Sequence, residues 1–386
     1  MNTIIVLFLS ISIIISLLHL VTSVSVILEK LKKESSKELE NNTNTTITNY
    51  PTVSILKPLK GIDDGLEDNL RSFFILDYPN YEIICGVEEA SDPSVEIIKK
   101  LKAEYPLQKC TLVINNNKIG LNPKVNNMHN IYQVAQGEYI LINDSNTKVK
   151  KDFLMKMIKE FGEENIGLVT STIKGIGAEN AVSVWENFYL NTFVAPNVFV
   201  AKKLSNISIV IGKSILMPNK VLQQIGGFFS VANYLAEDFM LGQKVEALGY
   251  KVKTSLTIVE NINKEMPLKS FLNRHTRWAK IRRNISLKNY LLEWFSNPIL
   301  IALMLMIYLQ TKESIVFFLI VTILKMLYEI YIMKLLNSTF AWHNVFSVPF
   351  KDLIIAAIWF VPFFSYKIKW RENKIKIGKN SILQSI

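Results

Sequence analysis

The stretch Glu138-Tyr139-Ile140-Leu141-Ile142-Asn143-Asp144-Ser145-Asn146 decides how the rest of the chain is read. Tyr139 to Ile142 form a short apolar run of the kind found in a buried strand, and the run ends abruptly in four small polar residues. In open α/β sheets, loops at the carboxyl ends of the strands turn side chains into a crevice where ligands bind. Asp144, one step past such a strand, is placed to hold a metal or the phosphates attached to it. The ordinary alternative is an Asp/Asn/Ser turn that closes a core strand.

Around this run, from Tyr50 to about Asn289, strand and helix patterns alternate. Val53 to Leu56, Ile83 to Val87 and Thr111 to Ile114 are further strand candidates. Helices are predicted through Leu66 to Phe74, from Pro93 to Glu104 and from Pro123 to Val134. Strands spaced by helices of this length predict an α/β domain with a mostly parallel sheet covered on both faces. The layout is that of a nucleotide-binding fold, yet no Gly-x-Gly-x-x-Gly or Walker loop occurs. Phosphates must then be handled by side chains and a cation.

The 386 residues are 49% apolar and have a mean hydropathy of +0.21, with the apolar residues gathered at the two ends. Thr3 to Leu28 contains no charge and exceeds the ~20 residues a helix needs to cross a bilayer. Lys30, Lys32, Lys33 and Lys37 follow at once. The positive-inside rule then predicts an uncleaved anchor with its start outside and the rest of the chain cytosolic. The Asn- and Thr-rich tract Asn41 to Asn49 reads as a linker, and its sequon-like Asn44-Thr45-Thr46 would be idle in the cytosol.

After Ser296 come Pro298 to Thr311 and then Ser314 to Leu335, whose Lys325 and Glu329 lie four apart and can pair. The uncharged run Leu353–Tyr366 is too short to span, and a basic tail from Lys367 to Lys379 follows. The pattern predicts two crossings, one segment in the inner interface and a cytosolic tail. In segments, it gives an anchor at 1–28, a linker at 29–50, a cytosolic domain at 51–290, membrane segments at 291–366 and a basic tail at 367–386.

The net charge of +11 comes without any aromatic-interleaved basic motif of a nucleic-acid module, so no nucleic-acid partner is expected. Anionic headgroups or a phosphorylated substrate account for it. Cys85 and Cys110 each sit in an apolar run and imply no disulfide framework; the four scattered histidines have no metal-ligand spacing.

Three acidic positions stand out. Asp92 lies just past the second strand, Asp144 past the fourth, and Asp238 interrupts an apolar helix start in Leu235-Ala236-Glu237-Asp238-Phe239. Each has a plain structural role to weigh against a functional one, since Asp92 before Pro93 is a good helix cap. Arg274-His275-Thr276-Arg277-Trp278 shifts the balance: two arginines three apart share a helical face, their planar forks suit a diphosphate, and an indole can wall a pocket.

The ordered set Asp92, Asp144, Ala236-Glu237-Asp238 and Arg274-x-x-Arg277-Trp278 resembles the D, D, D, (Q/R)xxRW signature of membrane-bound family 2-like glycosyltransferases. Lys57-Pro58-Leu59-Lys60-Gly61, Leu76-Asp77-Tyr78-Pro79-Asn80-Tyr81-Glu82, Gly120-Leu121-Asn122-Pro123-Lys124-Val125-Asn126-Asn127 and Lys369-Trp370-Arg371 resemble, more closely, the ceramide glucosyltransferases of family 21. The likeness is strongest from Pro51 to Ile285.

The resemblance implies a GT-A domain facing the cytosol, on a Golgi-type or bacterial inner membrane, that moves glucose from UDP-glucose to the primary hydroxyl of ceramide with inversion. It implies Asp238 as the base. Asp92, Lys124, Asp144, Arg274, Arg277 and Trp278 would bind the donor, and Asp144 with Asn146 would hold a divalent cation, Mg²⁺ or Mn²⁺. The motif Asp144-Ser145-Asn146 lacks the final carboxylate of a D-x-D, and Ala195-Pro196-Asn197 stands where His-Pro-Arg is expected in animal relatives. An inverting displacement needs one base on the acceptor face, worth ~10²–10⁴-fold, and a cation with arginines for the departing charge. The apolar stretch Phe188 to Ala195 is read either as a core helix or as a membrane-surface element admitting a lipid head. The rival readings are the same chemistry on a diacylglycerol, hopanoid or polysaccharide acceptor, and a membrane protein that binds nucleotide-sugars without turnover.

Overall fold

The computed structural model describes residues 2–44, 50–370 and 373–384. The linker tract Asn41–Asn49, the sequon at Asn44 and the tail motif Lys369-Trp370-Arg371 fall wholly or partly outside them. The chain divides into two compact units, one comprising Lys30–Ile176 and Ala201–Asn263, the other Met1–Glu29, Gly177–Val200 and Lys264–Ile386.

The first unit is built on a sheet of eight strands: β1 (Val53–Pro58), β2 (Tyr81–Val87), β3 (Cys110–Ile114), β4 (Tyr139–Asn143), β5 (Thr147–Lys148), β6 (Ile166–Ile176), β7 (Ser214–Pro218) and β8 (Lys251–Ile262). Their order is β3-β2-β1-β4-β7-β6-β8-β5. The four strands foreseen from sequence form the parallel half, with β2 between β3 and β1, and β1 between β2 and β4. β7 runs antiparallel to both β4 and β6, while β6 and β8 are parallel, so the sheet is mostly parallel as expected.

Ile140 and Leu141 are fully buried and Ile142 nearly so, which is why the run reads as continuously apolar: layers cover both faces of β4. The strand order reverses between β1 and β4, with Leu56 registered against Ile142. Such a switch point opens a crevice beyond the carboxyl ends of the two strands. Lys57 closes β1 there, and Asn143-Asp144 close β4. The helix Pro123–Tyr132 supports the same edge. It starts where the pattern says it should, with Pro123 at its first turn and the Asn122 side chain accepting from Val125 N.

The second unit is helical. Among the described residues three helical stretches are long and apolar enough to cross a membrane: Thr3–Lys33, Lys312–Leu335 and Trp342–Phe363. The first belongs to a continuous helix Asn2–Asn44 that runs on through the lysines following Leu28. The helices of the carboxyl-terminal half have other bounds than the apolar runs of the sequence. The helix Pro298–Leu309 is short and meets Leu287–Ser296 at 69°, so it makes a span only if the bent pair counts as one. Conversely, the last helical stretch does not begin at Leu353; it starts at Trp342 and passes through Lys351 and Asp352.

Those two charges made the run read as short, but both are buried and matched. Lys351 Nζ lies 2.8 Å from Glu329 Oε1 and 2.9 Å from Asp352 Oδ1. Lys325 Nζ lies 2.6 Å from Glu329 Oε1, the pairing the four-residue spacing predicts. Paired charges facing the interior of a helical unit remove the main objection to a span. The tail from Lys367 forms a small antiparallel sheet, Lys367–Trp370 with Asn373–Ile377 and then Leu383–Gln384.

Candidate active site

In the sheet unit, Asp144 and Asp238 are brought to the same place by one lysine. Lys124, on the first turn of the helix Pro123–Tyr132, puts Nζ 2.8 Å from Asp144 Oδ1 and 3.0 Å from Glu237 Oε1. Asp238 follows Glu237 on the first turn of the helix Glu237–Ala247. Its Oδ2 accepts from Gly212 N at 2.8 Å and its Oδ1 from its neighbour Phe239 N at 2.7 Å. Gly212 must be glycine here, because a Cβ at that position would lie 2.6 Å from Asp238 Oδ2.

The electrostatics of the two carboxylates diverge. Asp144 is held well below the ordinary carboxylate range: burial opposes its charge, but Lys124 and Lys213 overcome it. Asp238 goes the other way, pushed up to about 7 by burial first and then by the charge of Glu237, with Lys124 opposing. Two carboxylates in one crevice with affinities driven apart is the pattern of a fixed anion beside a proton acceptor tuned to neutral pH. Asp238 remains partly exposed.

Two lysines of this site carried no role in the sequence reading. Lys213, beside Gly212, lies 3.1 Å from Asp144 Oδ2 and donates to Asn146 Oδ1 at 2.7 Å. Lys57 is fully buried at the end of β1, donates to Asn143 Oδ1 and Asp144 O at 2.6 and 2.7 Å, and stacks over the Phe73 ring. Burial lowers its pKa to about 7. Lys57 fixes the loop after β4 from the neighbouring strand, and its place at a strand end was a usable signal; nothing near Lys213 gave one.

Asp92 fulfils the structural role its position suggests. Oδ1 accepts from Ser94 N and Ser94 Oγ at the helix start, and Oδ2 accepts from Gly61 N at 2.8 Å. It thereby ties the loop Leu59-Lys60-Gly61 to the helix Ser94–Glu104.

Arg274, Arg277 and Trp278 belong to the helical unit, on the helix Leu268–Ile285. Glu186, fully buried, organises them: Arg274 Nη1 and His275 Nε2 each lie 2.7 Å from one of its oxygens. Arg274 and His275 hold Glu186 down to about 2 against its burial. Burial lowers the affinity of His275 for its proton, so a neutral ring donates from Nε2 to the carboxylate. Trp278 stands edge-on to His275, and Tyr189 lies nearly parallel to the indole with ring centres 6.4 Å apart. Arg274, expected to point at a diphosphate, is thus already engaged by a carboxylate that the sequence did not flag.

The stretch Phe188 to Ala195 is largely buried in this unit and contains a wide helical turn, Leu190–Val194. Asn197, the departure from His-Pro-Arg, meets His19 of the first helix at 2.9 Å. Among the described residues no group of three or more His, Cys, Asp or Glu side chains is arranged to hold a metal. The candidate oxygen donors are Asp144 and Asn146, both contacted by Lys213.

The model of glycosyl transferase family 21 matches residues 13–383 of the chain. Ceramide glucosyltransferase 3 of Caenorhabditis elegans is 31% identical over 236 residues, 61% of this chain and 51% of that protein. Ceramide glucosyltransferase 1 of the same organism is 27% identical over 233 residues, 60% of this chain and 50% of that protein. The chain therefore spans about half the length of the curated relatives it matches. Among solved structures, the mannosyltransferase PcManGT of Pyrobaculum calidifontis, in complex with GDP-Man and Mn²⁺, superposes with a TM-score of 0.58. That likeness, at 14% identity, covers 94% of this chain and 99% of the other and shows a shared GT-A fold.

Removing the charge of Glu186 tests the arrangement in the helical unit. Breaking a buried ion pair costs about 3–5 kcal/mol, and because Arg274 keeps 28% of its side chain exposed, Glu186→Gln is expected at the lower end. Thermal denaturation of the purified chain measures it; an unchanged midpoint would show that Glu186 does not hold Arg274 and His275.

Proposed function

The chain belongs to glycosyl transferase family 21, and we propose that it transfers glucose from UDP-glucose to the primary hydroxyl of ceramide with inversion at the anomeric carbon. The observation that carries the reading is Asp238, a partly exposed carboxylate fixed by two backbone N–H groups and tuned to about 7, next to the Lys124–Asp144 pair. The curated relatives named as ceramide glucosyltransferases support the choice of acceptor and sugar.

In this scheme the acceptor oxygen attacks the anomeric carbon as the bond from that carbon to the β-phosphate oxygen breaks. The hydroxyl proton passes to Asp238, and the bonding pair leaves with UDP. Asp238 at about 7 is ionised in a useful fraction of molecules near neutral pH and basic enough to take the proton as the new bond forms. Lys124 and Lys213 present ammonium groups where negative charge accumulates on the departing diphosphate. Lys57 keeps Asp144 from shifting as the donor enters.

Charge balance accommodates a divalent cation. Asp144, Glu237 and Asp238 face Lys124 and Lys213, and a nucleotide diphosphate adds further negative charge to that excess. Asp144 and Asn146 would hold the ion, since Mg²⁺ commonly takes only one or two protein ligands beside phosphate oxygens. When bound, it supplies Lewis-acid stabilisation of the diphosphate.

We further propose an orientation with three crossings, Thr3–Lys33, Lys312–Leu335 and Trp342–Phe363, the bent pair not crossing. An odd number of crossings from an outside amino terminus places the sheet unit and the basic tail in the cytosol, as the positive-inside rule requires.

Asp238→Asn should abolish transfer while UDP-glucose still binds; equal loss of binding and turnover would remove Asp238 from the base role. The pH profile gives a second check. A base must be ionised, so kcat/KM should rise about tenfold per pH unit below about 7 and level off above it. Glu237→Gln removes a charge that raises the Asp238 pKa, so the acidic limb should move to lower pH; a shift upward would contradict the assigned cause. For topology, a tag fused after Ile386 should be cleaved by protease only in permeabilised cells, and cleavage in intact cells would refute three crossings.

A further inference from the structure

The small sheet that closes the chain takes no part in the chemistry above, and its charge is one-sided. Residues 367–379 hold six basic residues and one acidic, so the segment carries a large positive excess. The strands Lys367–Trp370 and Asn373–Ile377 pair antiparallel, with Lys376 set against Lys367 and Lys374 against Lys369. Like residues of one charge placed directly opposite each other work against a strand pair. Ile368 and Ile377 are buried, whereas Lys367, Lys376 and Lys379 are exposed, so the strands present a basic outer face. Among the described residues no carboxylate pairs with those three lysines. Such a face is held together best by anions from outside the chain.

The root of the ribbon says where those anions lie. Trp342–Phe363 is long and apolar enough to cross a membrane, and Lys367 follows four residues after its end. Lys280 Nζ pins that root to the helix Leu268–Ile285, donating to Lys367 O at 2.5 Å and to Ser365 Oγ at 3.2 Å. Between span and ribbon, Phe364 is 85% exposed and Tyr366 is exposed too, with the Arg283 guanidinium 5.1 Å from the Tyr366 ring centre. Exposed aromatic rings beside basic groups at the end of a span belong at headgroup depth. A soluble polyanion would match the lysines but leave the rings in water; an anionic leaflet takes both.

We propose that the outer face of this ribbon docks on the anionic phospholipids of the leaflet from which Trp342–Phe363 emerges, its lysines against lipid phosphates and carboxylates. The proposal rests on the crossing by that helix and is independent of the donor and acceptor assigned above.

The full chain in nanodiscs of phosphatidylcholine, with and without phosphatidylserine, tests it through hydrogen exchange at the amides of the two strands. Phosphatidylserine should slow exchange about tenfold by relieving the opposed charges, and raised salt should abolish the slowing. The paired variant Lys367→Gln with Lys376→Gln, which changes exposed side chains, should lose most of the slowing while its thermal midpoint in neutral discs stays unchanged. Equal exchange in the two kinds of disc would overturn the proposal, as would equal slowing by inorganic phosphate in neutral discs. Orientation is read separately by the tag: slowing by phosphatidylserine together with a tag cleaved in intact cells would uphold the docking and refute the cytosolic side.

Discussion

The ammonium of Lys124 lies within 3.0 Å of both Asp144 and Glu237, and the crevice at the strand ends is arranged around that contact. Without a cation between them, the carboxylates after β4 and at the start of the helix Glu237–Ala247 would repel across a partly desolvated gap, where charge interactions exceed their strength in water. Lys124 sets their spacing and at the same time sorts their proton affinities. Asp144, taking a second lysine on its other oxygen, is pinned as an anion; Asp238, one residue further along, is left to burial and to the charge of Glu237.

The helical unit solves a comparable problem with the signs reversed. There a single buried carboxylate, Glu186, gathers an arginine and a histidine from one helix. Because it spends one oxygen on each, the ring of His275 is oriented and Trp278 is set against Tyr189. A sequence motif that looks like a set of ligand-facing groups is in part an internally braced one. Arg274 is a brace in this arrangement, and Trp278 packs against His275 and Tyr189.

Much of this was legible in the chain. β4 announced itself because a strand buried on both faces has no polar alternation, whereas the strand order that puts the switch point beside it is a property of the fold. Asp238 was visible as a charge interrupting an apolar helix start. Lys124 was visible only as part of a motif, since no local pattern says that a lysine on a helix's first turn will reach a neighbouring strand end. Lys213 and Glu186 gave no signal, because their partners are 67 to 89 positions away in sequence and pairings of that range are a property of topology. The last helical stretch is longer than its apolar run for a related reason. Lys351 and Asp352 look prohibitive in a hydropathy reading, and only the fold reveals that Glu329, 22 residues earlier, neutralises the lysine.

That cluster bears on how the chain is put together. Lys325 and Glu329 sit on one helix and Lys351 and Asp352 on the next, so each helix brings one charge of each sign to the cluster and can match them within itself. Neither has to wait for the other before leaving water for hydrocarbon. The bond from Lys351 to Glu329 is made only when both have arrived, and it then works as a latch between already inserted helices, in keeping with insertion first and association second.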